Sequence, residues 1–352
     1  MPTPDAPLPA FTLLQPRRRT AIFWKDAEIS YADLLAHSAA LASLYGSAPG
    51  ERVVVFSENR PEWITALFSI WRNRCVVVPI DAFSPAAEAA YVIGQTEPVA
   101  VFCSAKTRPV VAEALRGLPA AAPRIVCFDG EDFPALPVGS DAAAPLASGP
   151  ADALAAILFT SGTTGAPKGV MLTFGNFQVN LASVCDRVPI FRPESRTFAL
   201  LPFHHILPLM GCVLAPLYSG GAIILAHSLD PADMVATMRR HRATIFIGVP
   251  RLYALFRKAI LDNLFKSPVG RGLFRLSAAI GRLPVSRVLL FPVQKKFGGQ
   301  LRQMVSGGAP LDRDVARDLV VCGFQVLEGY GMTECAPMIT FPRPDAVRLG
   351  DR

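Results

Sequence analysis

Three short apolar runs in the first third of the chain constrain its fold most strongly. They are VVVFS at 53–57, CVVVPI at 75–80 and VAVFC at 99–103, and helix-like stretches separate them. Runs of Val, Ile and Phe without polar alternation are typical of strands covered on both faces, and helical spacers between such strands indicate parallel βαβ units. The pattern predicts an α/β fold with mostly parallel sheets.

The same alternation extends in both directions along the chain. Residues 21–45 predict a short hairpin followed by a helix, and Ser30 with Asp33 three residues later predicts a capping box at the start of that helix. Residues 129–152, rich in Ala, Pro, Gly and Asp, predict a surface connection. Further strands are predicted near 197–201, 222–225, 244–249, 301–305 and 324–327.

Composition limits the class of protein. The chain has 352 residues, of which 51% are hydrophobic and 18% charged, so it can bury a large core. Its seven Cys form no CxxC pair, which disfavours a zinc site or a disulfide framework and favours a reducing, cytoplasmic compartment. The most apolar region, 198–229, contains His, Pro and a Gly pair, and therefore predicts a buried strand–helix–strand unit instead of a membrane span.

Positive charge is concentrated in one segment. Residues 251–302 contain eleven Lys or Arg against one acid, Asp262, in a chain whose net charge is +7. Apolar residues interleave with these charges in a pattern typical of amphipathic helices. Two interpretations stay open, namely a solvated basic face and a surface that contacts an anionic membrane or a polyphosphate. No nucleic-acid-binding motif accompanies the charge, so nucleic acid is not an expected partner.

One loop combines the residue types that bind phosphate. The predicted strand ALAAILF leads into TSGTTGAPKG at 160–169, and open α/β sheets bind ligands outside the carboxyl ends of their strands. Glycines allow backbone N–H groups to face a ligand, hydroxyls add donors, and Lys168 adds a positive charge. The spacing differs from a Walker A loop. By composition alone, a flexible solvated loop remains the alternative.

Four motifs, taken in their order along the chain, resemble the motif set of the adenylate-forming (AMP-binding) superfamily. The stretch ISYADL at 29–34 and residues 61–81 also resemble the N-terminal region of that superfamily. The four are TSGTTGAPKGVMLT at 160–173, LPFHHILPL at 201–209, VSGGAPL at 305–311 and EGYGMTE at 328–334. The segment from VPRLYALF to SGGAPL is most similar to long-chain fatty acyl-CoA synthetases.

This resemblance implies the large N-terminal domain of that fold, with two stacked αβα-type subdomains at roughly 60–187 and at 20–59 plus 188–340. The small C-terminal lid domain is expected to be missing, and the isolated chain to be nearly inactive.

The implied reaction is ATP-dependent activation of a long-chain fatty acid to acyl-AMP and then acyl-CoA, with Mg²⁺ and with coenzyme A as co-substrate. Three alternatives stay open: an acyl-AMP ligase that serves a carrier protein, another carboxylate-adenylating enzyme, and a non-catalytic module that binds acyl chains or nucleotide. The expected location is the cytoplasm, with peripheral contact at the inner face of a membrane through 251–302. The sequence indicates no oligomeric state.

The resemblance also implies roles for individual residues. Four are expected to take part in catalysis: Lys168, His205, Thr333 and Glu334, of which Glu334 would ligate Mg²⁺ and His205 would orient the substrate carboxylate. One set would bind the nucleotide phosphates: Thr160, Ser161, Gly162, Thr163, Thr164, Gly165, Lys168 and Thr333. A second set would also bind the nucleotide, with residues 307–309 as a wall of the adenine pocket and Tyr330 against the base: Gly307, Gly308, Ala309, Glu328, Gly329, Tyr330, Gly331 and Met332.

Overall fold

The computed structural model describes residues 11–117, 122–131, 133–135, 139, 144–160, 166–188 and 190–344. The chain divides into two compact units. The first comprises Met1–Leu181 with Pro202–Met210, and the second comprises Ala182–Leu201 with Gly211–Arg352. The sequence suggested another grouping, in which 20–59 joins 188–340, and that grouping stays a prediction.

Helices and strands alternate along most of the chain. The helices are α1 Tyr31–Ala42, α2 Pro61–Arg72, α3 Ala86–Thr96, α4 Arg108–Leu115, α5 Phe174–Leu181, α6 Ile206–Pro208, α7 Ala215–Tyr218, α8 Pro231–Arg240, α9 Pro250–Leu264, α10 Pro268–Ile280, α11 Leu283–Leu289, α12 Phe291–Lys296 and α13 Arg313–Val321. Ala182–Arg187 and Leu209–Leu214 are π-helical, and Thr333–Cys335 is a 3₁₀ turn. Among the helices in the described ranges, none combines the length and the apolar character needed to cross a bilayer.

The strands are mostly short. They are β1 Thr12–Leu14, β2 Thr20–Trp24, β3 Ala27–Ser30, β4 Arg52–Phe56, β5 Val76–Ile80, β6 Ala100–Cys103, β7 Arg124–Cys127, β8 Leu146–Ala147, β9 Leu154–Thr160, β10 Lys168–Thr173, β11 Arg196–Ala199, β12 Ala222–Leu225, β13 Ile245–Gly248, β14 Gln303–Ser306, β15 Gln325–Glu328, β16 Tyr330–Gly331 and β17 Met338–Thr340.

The first unit is built on a six-stranded sheet in the order β10-β9-β5-β4-β6-β7. The pairs β9–β5, β5–β4, β4–β6 and β6–β7 are parallel, and only β10 runs antiparallel, along β9. The predicted strands at 53–57, 75–80 and 99–103 are confirmed as β4, β5 and β6, and their apolar side chains are fully buried or nearly so. On α2, the buried Trp71 donates its indole N–H to the Ala155 carbonyl at 2.9 Å, which ties helix to sheet.

One boundary differs from the sequence-based expectation. The loop was expected to extend to Gly169, but Lys168 and Gly169 already belong to β10 and pair with Thr160 and Phe159 of β9. The backbone of β10 pairs with β9 alone, at the edge of the sheet, and such an edge pairing is hard to recognise in a Gly- and Lys-containing sequence.

The second unit contains a parallel sheet whose strands lie side by side in the order β15-β14-β13-β11-β12. All five strands coincide with predicted runs, and the predicted strand–helix–strand unit at 198–229 is confirmed as β11, helical turns and β12. The basic segment forms helices α9 to α12. The α/β fold class with mostly parallel sheets is therefore confirmed.

The predicted capping box is also confirmed. The Ser30 hydroxyl accepts the Asp33 backbone N–H at 3.0 Å, and the Asp33 carboxylate accepts the Ser30 backbone N–H at 3.2 Å. Two N–H groups that the first turn of a helix leaves without an internal partner are thereby satisfied.

We expect Ser30→Ala to lower the free energy of unfolding by about 1 kcal/mol, because the Asp33 N–H loses its acceptor. The shift of the urea unfolding midpoint, followed by circular dichroism, measures this change. Ser43→Ala at the exposed C-terminal end of the same helix is the matched control, with an expected change below about 0.5 kcal/mol. Equal shifts for the two variants would contradict the capping role.

Candidate active site

The β9–β10 hairpin carries the predicted phosphate-binding loop. Thr160 and Lys168 are register partners at the end of the hairpin next to the loop, where Lys168 is exposed and Thr160 half-buried. The Tyr91 hydroxyl donates to the Pro167 carbonyl at 3.2 Å, and the Tyr91 ring packs edge-on against Phe159, with the ring centres 6.3 Å apart. Helix α3 therefore holds the loop where it rejoins the sheet. The predicted residues Ser161, Gly162, Thr163, Thr164 and Gly165 lie outside the described residues.

A pair of histidines lies in the same unit. His205 is the N-cap of α6, and its ring centre is 3.9 Å from that of His204. The Nε2 atom of His204 is 3.8 Å from a carboxylate oxygen of Asp81. The pKa of His204 is lowered to about 4, mainly by burial and further by the neighbouring His205, while Asp81 acts in the opposite direction. Burial also lowers the pKa of His205, against the same opposing effect of Asp81. Both imidazoles are therefore neutral at pH 7.

Neighbouring strands of the first sheet bring these groups to one edge. Asn59 lies just beyond β4 and accepts the backbone N–H of Phe203, next to the histidine pair, at 3.0 Å. Asp81 directly follows β5, and Thr160 ends β9. Because β4, β5 and β9 are adjacent and parallel, the histidines and the hairpin end lie at the carboxyl edge of this sheet. That edge is where open α/β sheets bind ligands.

In the second unit, two predicted motifs meet at the ends of β14 and β15. Ser306 and Glu328 are register partners, and Gly329 donates its backbone N–H to the Ser306 carbonyl at 2.8 Å. The Glu328 carboxylate accepts the backbone N–H of Leu311 at 3.0 Å. Glu328 therefore joins the turn after β14, which begins at Gly307, to the end of β15.

Glycine is present at Gly308 and at Gly331 for different structural reasons. Gly308 has φ of +84°, a left-handed conformation, and a Cβ placed there would have only Val249 within 4 Å, at 3.9 Å. Gly308 and Ala309 are exposed, so their backbone is accessible at the strand end. At Gly331, by contrast, a Cβ would overlap the carbonyl oxygen of Pro337. Gly331 is thus required for the β16–β17 hairpin itself.

The remaining predicted residues follow in the same hairpin. Tyr330 and Met332 expose 65% and 46% of their surface. Thr333 is half-buried and Glu334 exposed, and both lie in the 3₁₀ turn that ends at Cys335. The second unit therefore brings residues 307–309 and 328–334 to one region, while Lys168 and His205 belong to the first unit.

A sequence model described as AMP-binding enzyme matches residues 12–351 of the chain. The chain belongs to the AMP-binding enzyme family. Long chain acyl-CoA synthetase 7, peroxisomal, of Arabidopsis thaliana is 30% identical over 346 residues, which cover 89% of this chain and 49% of the relative. Feruloyl-CoA synthase of Amycolatopsis sp. is 28% identical over 323 residues, or 90% of this chain and 57% of the relative.

Solved structures also have the fold of this chain. The crystal structure of ATP-bound MatB from Rhodopseudomonas palustris matches with a TM-score of 0.73 and 28% identity, over 95% of this chain and 60% of MatB. The chain thus spans about half to three fifths of the length of these relatives.

The resemblance implied a Mg²⁺ ion, and the described residues could bind one through a single carboxylate. In the ranges that the structure describes, no group of three or more His, Cys, Asp or Glu side chains is placed to hold a metal. Mg²⁺ is usually bound by one or two carboxylates together with water and substrate phosphates. The exposed carboxylate of Glu334 suits that arrangement.

Asp81, Asn59 and Tyr91 are the site residues that sequence reasoning missed. Asp81 carried a usable signal, because it is the first residue after a fully apolar strand and such positions face the ligand edge. Tyr91 and Asn59 carried no local signal, since their partners Pro167 and Phe203 are 76 and 144 residues away.

Protonation of the histidine pair gives a pH prediction. His204 is neutral in the folded chain down to about pH 4, whereas an unfolded His protonates near 6.5. The unfolded state then binds more protons, so the contribution of His204 to stability is unchanged above about pH 6.5 and falls as the pH decreases toward 4.

In an NMR titration of the imidazoles, we expect Asp81→Asn to lower the titration midpoints of both histidines further, because Asp81 favours the charged forms.

Asp152→Asn, which changes an exposed carboxylate elsewhere in the first unit, is the control and should leave both midpoints unchanged. Resonances are assigned with His204→Gln and His205→Gln. Midpoints that rise in Asp81→Asn would refute the assigned contact.

Proposed function

We propose that the chain binds ATP and a carboxylic acid, and that it takes part in activating a long-chain fatty acid to acyl-AMP and then to acyl-CoA. The observation that carries this proposal is the joining of the 307–309 turn to the 328–334 segment through Ser306, Glu328 and Leu311 at the carboxyl ends of parallel strands. Family membership and the two CoA-ligase relatives support it.

The proposed chemistry has two balanced steps. An oxygen of the substrate carboxylate attacks the α-phosphorus of ATP, the bond to the bridging oxygen breaks, and pyrophosphate leaves. The thiolate of coenzyme A then attacks the acyl carbon, and AMP leaves with the bonding electrons. Both steps concentrate negative charge, so positioned donors and cations contribute more than a protein nucleophile would.

We assign the phosphates to the residues that can donate to them. Thr160 and Lys168, with the intervening loop, bind the β- and γ-phosphates, and the Thr333 hydroxyl donates to the α-phosphate. Glu334 would hold Mg²⁺, which supplies positive charge beside the phosphates when bound. The backbone of 307–309 borders the adenine, and the exposed ring of Tyr330 lies against the base.

His205 is proposed to orient the substrate carboxylate. Burial keeps its imidazole neutral at pH 7, so one ring nitrogen donates a hydrogen bond while the other has no proton to give. A neutral donor can fix the carboxylate without forming an ion pair that would weaken its attack. Its backbone is held in place at the start of α6 by its N–H, which donates to the Pro202 carbonyl at 3.3 Å.

The acyl group is the least constrained part of the proposal. A long chain is supported by the long chain acyl-CoA synthetase relative, whereas the feruloyl-CoA synthase relative makes an aromatic acid the main alternative. The π-helical segment Leu209–Leu214 contains Gly211, where a Cβ would lie 2.7 Å from the Ile247 side chain. Such segments often occur at functional sites, and we propose this one as a wall of the acyl pocket.

We expect Glu334→Gln to weaken ATP binding in the presence of Mg²⁺ by about tenfold, because one ion ligand loses its charge. Isothermal titration with and without Mg²⁺ measures the effect, which should disappear without the ion. Glu113→Gln, on helix α4 of the first unit, is the matched control. A similar loss of fatty acid binding in Glu334→Gln would point to misfolding and count against the assignment.

Acid-dependent ATP–pyrophosphate exchange tests the function itself. A panel of long-chain, short-chain and aromatic carboxylic acids is compared, with coenzyme A and a carrier protein offered as acceptors in separate reactions. Exchange that depends on a long-chain acid supports the proposal. A preference for aromatic acids would show that the substrate is an aromatic acid and not a fatty acid. ATP binding without exchange by any acid would favour a non-catalytic binding module.

We also propose that helices α9 to α12 touch an anionic membrane. Large apolar side chains on these helices and at the C-cap of α9 are exposed in the same segment as the Lys and Arg residues, a combination that suits a peripheral membrane contact. They are Leu255, Phe265, Val269, Leu276, Ile280, Val288 and Phe291.

The membrane proposal predicts a salt-dependent affinity for anionic vesicles. The double variant Lys258→Gln/Arg275→Gln removes two exposed charges and should weaken binding by about 2 kcal/mol, a factor of about 30. Arg108→Gln/Arg116→Gln changes net charge equally on the first unit and should have little effect. Vesicle sedimentation at two salt concentrations measures both, and salt-independent binding would contradict the proposal.

A further inference from the structure

A cavity of about 840 Å³ lies in the second unit, at the end of the sheet opposite the Gly307–Gly308 turn. Its lining includes the residues that begin β11, β14 and β15, namely Arg196, Gln303 and Gln325. Because the strands are parallel, this is the amino edge of the sheet, whereas the proposed nucleotide-binding residues follow the carboxyl ends. We call it the amino-edge cavity. Its volume is in the range of small-molecule sites.

The lining of the amino-edge cavity is strongly basic. Of its fifteen residues, six are arginine and only Glu194 is acidic. The arginines come from separate parts of the second unit, and they are Arg187, Arg192, Arg196, Arg242, Arg302 and Arg343. On an ordinary protein surface, acidic side chains are interspersed among the basic ones, so a lining with this excess of arginine is unusual.

Backbone and side-chain hydrogen bonds fix the centre of this lining. The Thr244 hydroxyl accepts the Arg196 N–H at 2.8 Å, and the Arg196 guanidinium donates to the His241 carbonyl at 2.9 Å. The Arg302 N–H donates to the Thr244 carbonyl, and the Gln325 N–H to the Arg302 carbonyl, each at 2.9 Å. Four neighbouring strands thus present these positions in a fixed register.

Arg242 has an unusual backbone for its residue type. It follows the C-cap of α8 with φ of +54°, in the left-handed region that Gly usually occupies at the end of a helix. An arginine is less favourable there by its backbone alone. Arg242 is one of the residues that line the cavity, and an anion bound there gives a reason for arginine at this position.

The positive charge of the cavity lining favours the binding of an anion. In the part of the chain that the structure describes, no ion pair joins Arg187, Arg242, Arg302 or Arg343 to a carboxylate. Like charges around one cavity repel, and a polyvalent anion would remove that repulsion. Guanidinium groups match phosphate oxygens in two-point hydrogen bonds.

We propose that the amino-edge cavity binds a phosphate-bearing anion with at least two negative charges, as in pyrophosphate or a phosphate monoester. This site is separate from the nucleotide site proposed above, since it lies at the other end of β14. The phosphate could belong to a soluble molecule or to a lipid headgroup, and the two sources share this chemistry.

The test compares the full chain with two cavity variants. Isothermal titration uses inorganic pyrophosphate without Mg²⁺ against wild type, Arg242→Gln/Arg302→Gln, Arg343→Gln and the control Arg108→Gln/Arg116→Gln. We expect the double variant to lose at least about tenfold in affinity for one class of site, and Arg343→Gln a smaller part of it. Unchanged circular dichroism and unchanged Mg²⁺–ATP binding show that the fold and the nucleotide site are intact.

A second arm uses vesicles that contain phosphatidic acid, with the same four proteins. Arg343 lies outside 251–302, so a vesicle-binding loss shared by Arg343→Gln belongs to the cavity and not to the basic helices. Loss for pyrophosphate supports a soluble ligand, and a shared loss for vesicles alone supports a lipid headgroup. Equal binding by cavity variants and control in both arms overturns the proposal.

Discussion

Hydrogen bonding between buried parallel strands is the constraint on which the rest of this structure depends. A strand covered on both faces must pair every backbone N–H and C=O with its neighbours, so its ends are fixed by register and cannot slide. In the first unit this fixes the positions beyond β4, β5 and β9, where Asn59, Asp81 and Thr160 lie. In the second unit it fixes Gly307 and Gly329 beside each other at the ends of β14 and β15. The positions of the candidate site residues therefore follow from strand pairing and not from the conformations of the loops.

Much of this framework could be predicted from the sequence because its signals are local. An apolar run such as VVVFS specifies burial on both faces, and Ser30 followed by Asp33 specifies a helix start, whatever the distant parts of the chain do. The second-unit strands were predicted to within two residues for the same reason, as with the run 244–249 and the observed β13 at Ile245–Gly248. Motif residues such as Glu328 were selected as candidates because the order of the motifs along the chain is distinctive, although the hydrogen bond from the Leu311 N–H to Glu328 could not be foreseen.

The features that could not be predicted arise from contacts between distant residues. Lys168 carries a loop-like sequence, and only pairing with Thr160 makes it the first residue of a strand. The neutral state of His204 results from burial and from the neighbouring His205, which together outweigh the opposing effect of Asp81 at the end of β5. The arginines of the amino-edge cavity are spread over more than 150 positions, and Arg187 and Arg343 lie outside the basic segment that drew attention to charge. Net charge along the sequence identified the helices, whereas the fold assembles a second basic region from isolated residues.

Support for the Gly307–Gly308 turn comes from the helix side of the sheet. Tyr253 of α9 is fully buried, and its single hydroxyl proton can be donated to the Val305 carbonyl at 2.7 Å or to the Phe246 carbonyl at 3.1 Å. Burial raises the pKa of this phenol well above its ordinary value, so the proton is always present to be donated. The hydroxyl therefore ties α9 to one of the two neighbouring strands, and the shorter distance is to Val305 of β14, two residues before the chain leaves that strand at Gly307. The turn itself is held at its two ends, by the Gly307 N–H on the Gly248 carbonyl and by the Leu311 N–H on the Glu328 carboxylate, so the exposed positions Gly308 and Ala309 need not stabilise it and their backbone stays accessible to a ligand.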